Sequence, residues 1–156
     1  MNALVLVLLA AAAAVAVAAL VPRALFRRAQ DRLARRLLDE SPEGFRLLTR
    51  AERSVGVRRR LPGVLGLTEA DVVFFGVFGE SERLATSRIQ KIVTGTRLSS
   101  GRRLVRREVL RLTDSAGGGQ EYVLERASAA AWRSHLGLWA VEERKAALDV
   151  VRPGKL

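Results

Sequence analysis

Arginine is the side chain in this sequence with the clearest capacity for chemistry. Arg58, Arg59 and Arg60 are adjacent, with Arg53 close upstream. A second group comprises Arg102, Arg103, Arg106 and Arg107. Guanidinium groups at such spacing bind phosphate oxygens bidentately, so each group is a candidate site for a phosphate or a lipid headgroup. The competing reading is a solvated basic loop that feels only the general field of an anionic surface. Arg outnumbers Lys by twenty-four to three in a chain rich in Ala, Leu, Val and Gly. That bias lowers the weight of any single Arg.

Other reactive types are sparse. His135 is the one histidine and there is no cysteine. A lone imidazole without thiolates or carboxylates at ligand spacing does not make a metal site, and no nucleophile is paired with it. The carboxylates are scattered and mostly lie beside Arg. The stretch Asp114-Ser115-Ala116-Gly117-Gly118-Gly119 lacks the Lys-Ser/Thr ending of a phosphate loop and reads as a hairpin turn. The expectation is a non-enzyme with no cofactor, no metal and no small-molecule substrate.

The elements that must carry these arginines divide the chain sharply. Residues 1–22 hold no charged side chain, and residues 3–21 are Ala, Leu and Val throughout. As a helix those nineteen residues span about 28 Å, close to the roughly 30 Å hydrocarbon core of a bilayer. A transmembrane anchor over 1–22 is expected, ended by Pro22. A cleaved signal peptide would need a basic start, which residues 1–5 lack, and a buried soluble helix is rarely apolar on every side. Arg23, Arg27, Arg28, Arg32, Arg35 and Arg36 follow the span and no basic side chain precedes it. The positive-inside bias then places the C-terminal domain in the cytoplasm and the N-terminus outside. Residues 23–60 carry +7 of the net +11, and residues 61–156 the other +4.

Residues 23–40 read as a basic amphipathic helix with Leu25, Ala29, Leu33 and Leu37 on one stripe. It either lies on the membrane with its arginines among headgroups, or packs its stripe on the domain or a partner. Ser41-Pro42-Glu43-Gly44 then opens a domain over 41–150, with 151–156 as a tail. Strands are expected at Val64–Thr68, Val72–Phe78 and Arg103–Thr113, with weaker ones at Arg83–Ser87 and Lys91–Arg97. The Gly-rich turn 114–119 returns into a strand at Gln120–Glu125. An amphipathic helix from Ala127 to about Leu148 closes the chain, with Trp132, Leu136, Trp139 and Ala140 facing the core.

This order resembles the GRAM and bacterial pleckstrin-homology-like (PH-like) family. The matching stretches are Pro62-Gly63-Val64-Leu65-Gly66-Leu67-Thr68 followed by Val72-Val73-Phe74, then Ile89-Gln90-Lys91-Ile92-Val93, then Leu110-Arg111-Leu112 leading through the Gly-rich turn to Glu121-Tyr122-Val123-Leu124, and last Trp132. Leu124 stands where that family usually has an aromatic, and no Pro precedes Ile89. The resemblance implies a mainly β, α+β fold. Seven antiparallel strands form a bent sandwich or barrel, and a C-terminal helix plugs one end. It also implies binding of phospholipid headgroups or protein segments, with basic residues in the loop joining the first two strands.

The expected function is therefore a membrane-anchored, cytoplasmic binding module for anionic phospholipids. The alternative is an accessory or scaffold subunit that docks a membrane protein partner. Nucleic acid is disfavoured, because stacking on bases needs exposed aromatics among the basic residues and the few aromatics fall at core-like positions.

Overall fold

The computed structural model describes the backbone of residues 3–56 and 59–137, and the side chains of Val5, 21–56 and 59–137. The chain is mainly β. A long helix α1, Ala3–Glu40, leads into seven strands. These are β1 Leu47–Val55, β2 Arg59–Leu67, β3 Asp71–Gly76, β4 Ser81–Ala85, β5 Ile89–Gly95, β6 Arg107–Asp114 and β7 Gly119–Glu125. A short 3-10 turn, Thr86–Arg88, joins β4 to β5, and a C-terminal helix α2 begins at 126 and is described to 137.

The strands form one antiparallel sheet in the order β4-β3-β2-β1-β7-β6-β5. β1 is the hinge. It pairs with β2 along its whole length, Leu47 opposite Leu67 and Val55 opposite Arg59, but with β7 only at Glu52–Val123 and Arg53–Tyr122. So short a shared ladder lets the two halves of the sheet fold towards each other. Phe74 of β3 meets Tyr122 of β7 with ring centroids 5.7 Å apart. Leu65, Leu110, Leu112 and Leu124 fill the space between the halves.

Two glycines of the Pro62–Thr68 stretch owe their place to this packing. A Cβ on Gly63 would stand 2.5 Å from Phe74 Cζ, and one on Gly66 would stand 2.7 Å from the Phe45 ring. Both distances are shorter than any tolerable carbon contact, so the aromatic rings need bare backbone beneath them.

Helix α2 closes the end of the sheet where β1 begins. Trp132 is fully buried, as are Ala129 and Leu136. The Trp132 indole N–H donates to Thr49 Oγ1 at 2.8 Å, which satisfies the one polar atom the ring brings inside. Trp139, the rest of that helix and the tail lie outside the described residues.

The sequence reading needs correction at several places. β1 was not singled out as a strand by its sequence. Its burial does not alternate strictly, because α1 covers its outer face while the core covers the inner one. β6 starts at Arg107, not Arg103. Leu104 turns inward onto Leu98, Val109 and Val123 as a second small core. Arg106 takes a left-handed backbone, φ 63°, which breaks the extended path. Phe78 belongs to the β3–β4 turn, not to β3. Pro22 lies inside α1 and ends nothing.

The apolar segment 3–21 is thus the first half of one helix that continues to Glu40. Among the residues searched, no helix is long and apolar enough to cross a membrane. The side chains of 6–20, on which the expected span rests, lie outside the described residues.

Candidate basic site beside the first helix

A buried amide ties the middle of α1 to the sheet. Gln30 is buried, and its Nε2 donates to Ala51 O at 2.9 Å and to Gly63 O at 2.8 Å. A carboxamide suits this place because it has two N–H groups and no charge to desolvate. Around it Ala29, Leu33, Ala34 and Leu37 are half-buried, whereas Arg23, Arg27, Arg28, Arg32, Arg35 and Arg36 are all exposed. The stripe predicted from the sequence therefore packs on the domain over its C-terminal half, and the arginines face outward.

The direction of α1 follows from its contacts. Leu37 lies by Phe45 and Phe75. Gln30 sits at the middle of β1 and β2, and the Phe26 ring meets Phe78 of the β3–β4 turn at 6.0 Å. The helix thus runs along the sheet, and its N-terminal half leaves at the end that carries the β1–β2 and β3–β4 turns. α2 closes the opposite end.

Side-chain alternation along β1 then sorts the candidate arginines. Arg53 faces inward with Ala51 and is held by Glu82, with Nε to Oε2 at 2.6 Å and Nη2 to Oε1 at 2.8 Å. It is a strand residue paired with a carboxylate on the opposite face of β1 from Glu52. The hydroxyl of neighbouring Tyr122 donates to Gln120 Oε1 at 2.7 Å. Burial raises its pKa, the Glu82 carboxylate adds to that, and Arg53 opposes it. Tyr122 stays a neutral phenol throughout the physiological range.

The outer face of β1 carries Arg50, Glu52 and Ser54. Arg50 bridges Asp31 of α1 and Glu125 of β7, at 3.6 Å to each. Two residues on, Glu52 is gripped from both sides. Arg60 of β2 approaches it at 3.3 Å, and Arg107 of β6 pairs with its other oxygen. Arg60 and Arg107 belong to the two separate basic groups of the sequence. The fold brings one arginine of each group to one carboxylate on the face next to α1.

Their neighbours remain available. Arg59, Arg102, Arg103 and Arg106 are exposed, and among the described residues none of them has an ion pair within 4.0 Å. Arg58 lies outside the described residues. On the neighbouring strand β7, burial by itself would raise the pKa of the Glu121 carboxyl. Arg111, at 2.6 Å, and the Ser99 N–H, at 2.8 Å, outweigh burial and hold it below the usual carboxylate range.

Sequence reasoning missed Glu52, Glu82, Gln30 and Phe78. Glu52 could have been suspected from charge balance, since it is one carboxylate in a strand between Arg50 and Arg53, whereas Glu82, with Glu80 and Arg83 beside it, gave no such signal. Gln30 gave no signal, because a polar residue in an Arg-rich helix looks solvated. His135 is exposed on α2. Among the described residues no group of His, Cys, Asp and Glu is placed to hold a metal.

No protein-family model matches the sequence, and no curated protein matches it. Among solved structures, the chain is similar to the crystal structure of the C-terminal domain of an unknown protein from Leishmania infantum. The TM-score is 0.50 at 11% identity, over 75% of this chain and 96% of that one. That likeness concerns the fold alone.

Proposed function

We propose that the chain is a non-catalytic, PH-like binding module, anchored by residues 3–21 in a membrane, whose domain reads anionic lipid headgroups on the cytoplasmic side. The observation that carries the reading is the convergence of Arg60 and Arg107, one from each basic group of the sequence, on Glu52 beside α1. Arginines from distant parts of a chain gather on one face at a cost in mutual repulsion, and an anionic ligand offsets that cost. Glu52 holds these two guanidiniums in place, while their exposed chain neighbours Arg59 and Arg106 are left for phosphate oxygens. The exposed arginines of α1 add to the same positive field, each worth about 1 kcal/mol near an anionic leaflet. The strand order, the bend at β1 and the end-closing α2 agree with the PH-like arrangement. So does the place of the basic residues in and beside the β1–β2 turn.

The test uses the full chain in nanodiscs of neutral phosphatidylcholine, titrated by calorimetry with a water-soluble, short-chain anionic phospholipid. Saturable binding is expected, weakened by added salt. Replacing Arg59 and Arg106 together with Ala should weaken it by about 2 kcal/mol, from two contacts of about 1 kcal/mol each. Absence of binding rejects the headgroup reading. It would leave the protein-docking alternative, for which the half-covered helix α1 is the available surface.

A further inference from the structure

Among the described residues, Val5, Leu38, Val55 and Val105 are exposed apolar residues at separate places, but four others gather near the middle of α1. Val21, Leu25 and Phe26 on α1 and Phe78 at the tip of the β3–β4 turn are all exposed, Phe78 by 64%. Phe78 and Phe26 stack edge to face with centroids 6.0 Å apart. A phenyl ring at a hairpin tip, beside Gly79 in the left-handed region at φ 94°, has no core to enter. Its one aromatic neighbour is itself 39% exposed.

The position of this cluster along α1 suggests what covers it. Phe26 is five residues past Val21, the last residue of the apolar segment, which is about 7.5 Å along the axis. The headgroup layer beyond a bilayer's hydrocarbon core is roughly 5–7 Å thick on each side. A helical side chain also leans towards the N-terminus, so the Phe26 ring covers the turn before its own Cα and comes nearer the membrane. Arg23, Arg27 and Arg28, all exposed, lie at the same level, where cations meet lipid phosphates. Apolar rings among arginines at that depth are the makings of an interfacial contact.

We infer that Phe78 inserts into the headgroup–acyl boundary beside α1, as a second membrane contact that seats the domain against the bilayer its anchor crosses. This rests on the anchoring of residues 3–21 proposed above. It is independent of whether Arg59 and Arg106 select a headgroup. The contact comes from the β3–β4 turn, whereas the basic site lies on β1, β2 and the segment before β6.

The absence of cysteine makes the test direct. Single-cysteine variants Phe78→Cys, Ala12→Cys and Glu69→Cys of the full chain are spin-labelled in nanodiscs containing anionic lipid. Accessibility to dissolved oxygen and to a water-soluble nickel chelate is read by electron paramagnetic resonance. The nitroxide side chain is apolar and close in bulk to the ring it replaces. The expected order is deep lipid at 12, the interface at 78 and water at 69, with the oxygen-to-nickel ratio at 78 several-fold above that at 69. A water-like label at 78 with a lipid-like label at 12 overturns the inference and leaves the anchor standing. Water-like labels at both overturn the two together. Dipolar broadening at 78 without lipid contact assigns the cluster to a second copy of the chain, and also overturns the inference.

Discussion

Glu52 is the side chain on which the basic site depends, and its two roles pull in opposite directions. It pairs with Arg60 and Arg107 on the half-buried outer face of the sheet's central strand, so removing its charge leaves two guanidiniums facing each other. Glu52→Gln should lower stability by about 1–2 kcal/mol, the scale of a partly buried, charge-assisted pair. The same change should tighten binding of the soluble anionic phospholipid, because the internal competitor for the arginines is gone. Denaturant unfolding and the calorimetric titration measure the two effects separately. A ligand-binding loss in step with the stability loss would contradict the competitor role.

Glu121 gives a pH-dependent contribution with a definite sign. Arg111 and Ser99 hold its folded-state pKa below the unfolded one. The stabilisation is therefore fully present above the unfolded pKa and is lost as pH falls through the folded one. Acid titration of stability should have a shallower slope in Glu121→Gln than in the parent chain.

At the scale of elements, α2 and the Pro62–Thr68 segment of β2 carry the core. Trp132→Ala removes a fully buried indole and should cost about 3–5 kcal/mol. Thr49→Val should cost about 1–2 kcal/mol by leaving the indole N–H without its acceptor. Thermal unfolding of the two variants, with a smaller loss for the second, tests that ranking.

Much of this was legible in the sequence. The strand pattern located β7, most of β3 and β6 and the second half of β2, while the aromatic stripe located the described part of α2. The resemblance supplied the count of seven strands and the plugged end. Gly63 and Gly66 were legible as a motif, but their reason, the Phe74 and Phe45 rings, is a tertiary fact. β1 was not legible, since its polar residues fall on both faces, Thr49 and Arg53 on one and Arg50, Glu52 and Ser54 on the other, so apolar and polar positions do not alternate. The basic site was half legible. Arginine runs mark themselves, but whether a strand turns Arg53 inward to Glu82 or Arg60 outward to Glu52 depends on register, and a one-residue slip exchanges the faces.

Across the whole molecule, the helix that begins in the apolar segment also forms part of the domain. Gln30, Asp31 and Phe26 tie it to β1, β2 and the β3–β4 turn. Gln30→Ala should therefore do more than remove two hydrogen bonds. It leaves two carbonyls without their amide donor, a loss of about 1–3 kcal/mol, and it should free α1 from the sheet. Amide hydrogen exchange over 26–37 is expected to rise in that variant while α2 keeps its protection. Equal loosening of both helices would mean that α1 is not a separate attachment.

An unbroken helix also transmits angle. Each residue inserted between Pro22 and Phe26 would turn the segment before it by about 100° relative to the sheet and move it only about 1.5 Å. A lone anchor in fluid lipid has no preferred azimuth, so one added alanine there should leave lipid binding nearly unchanged. An anchor packed on a neighbouring helix presents one chosen side, so one alanine should abolish that association. Seven, close to two whole turns, should restore the facing side. The bilayer is indifferent to rotation about its normal, and a protein partner is not.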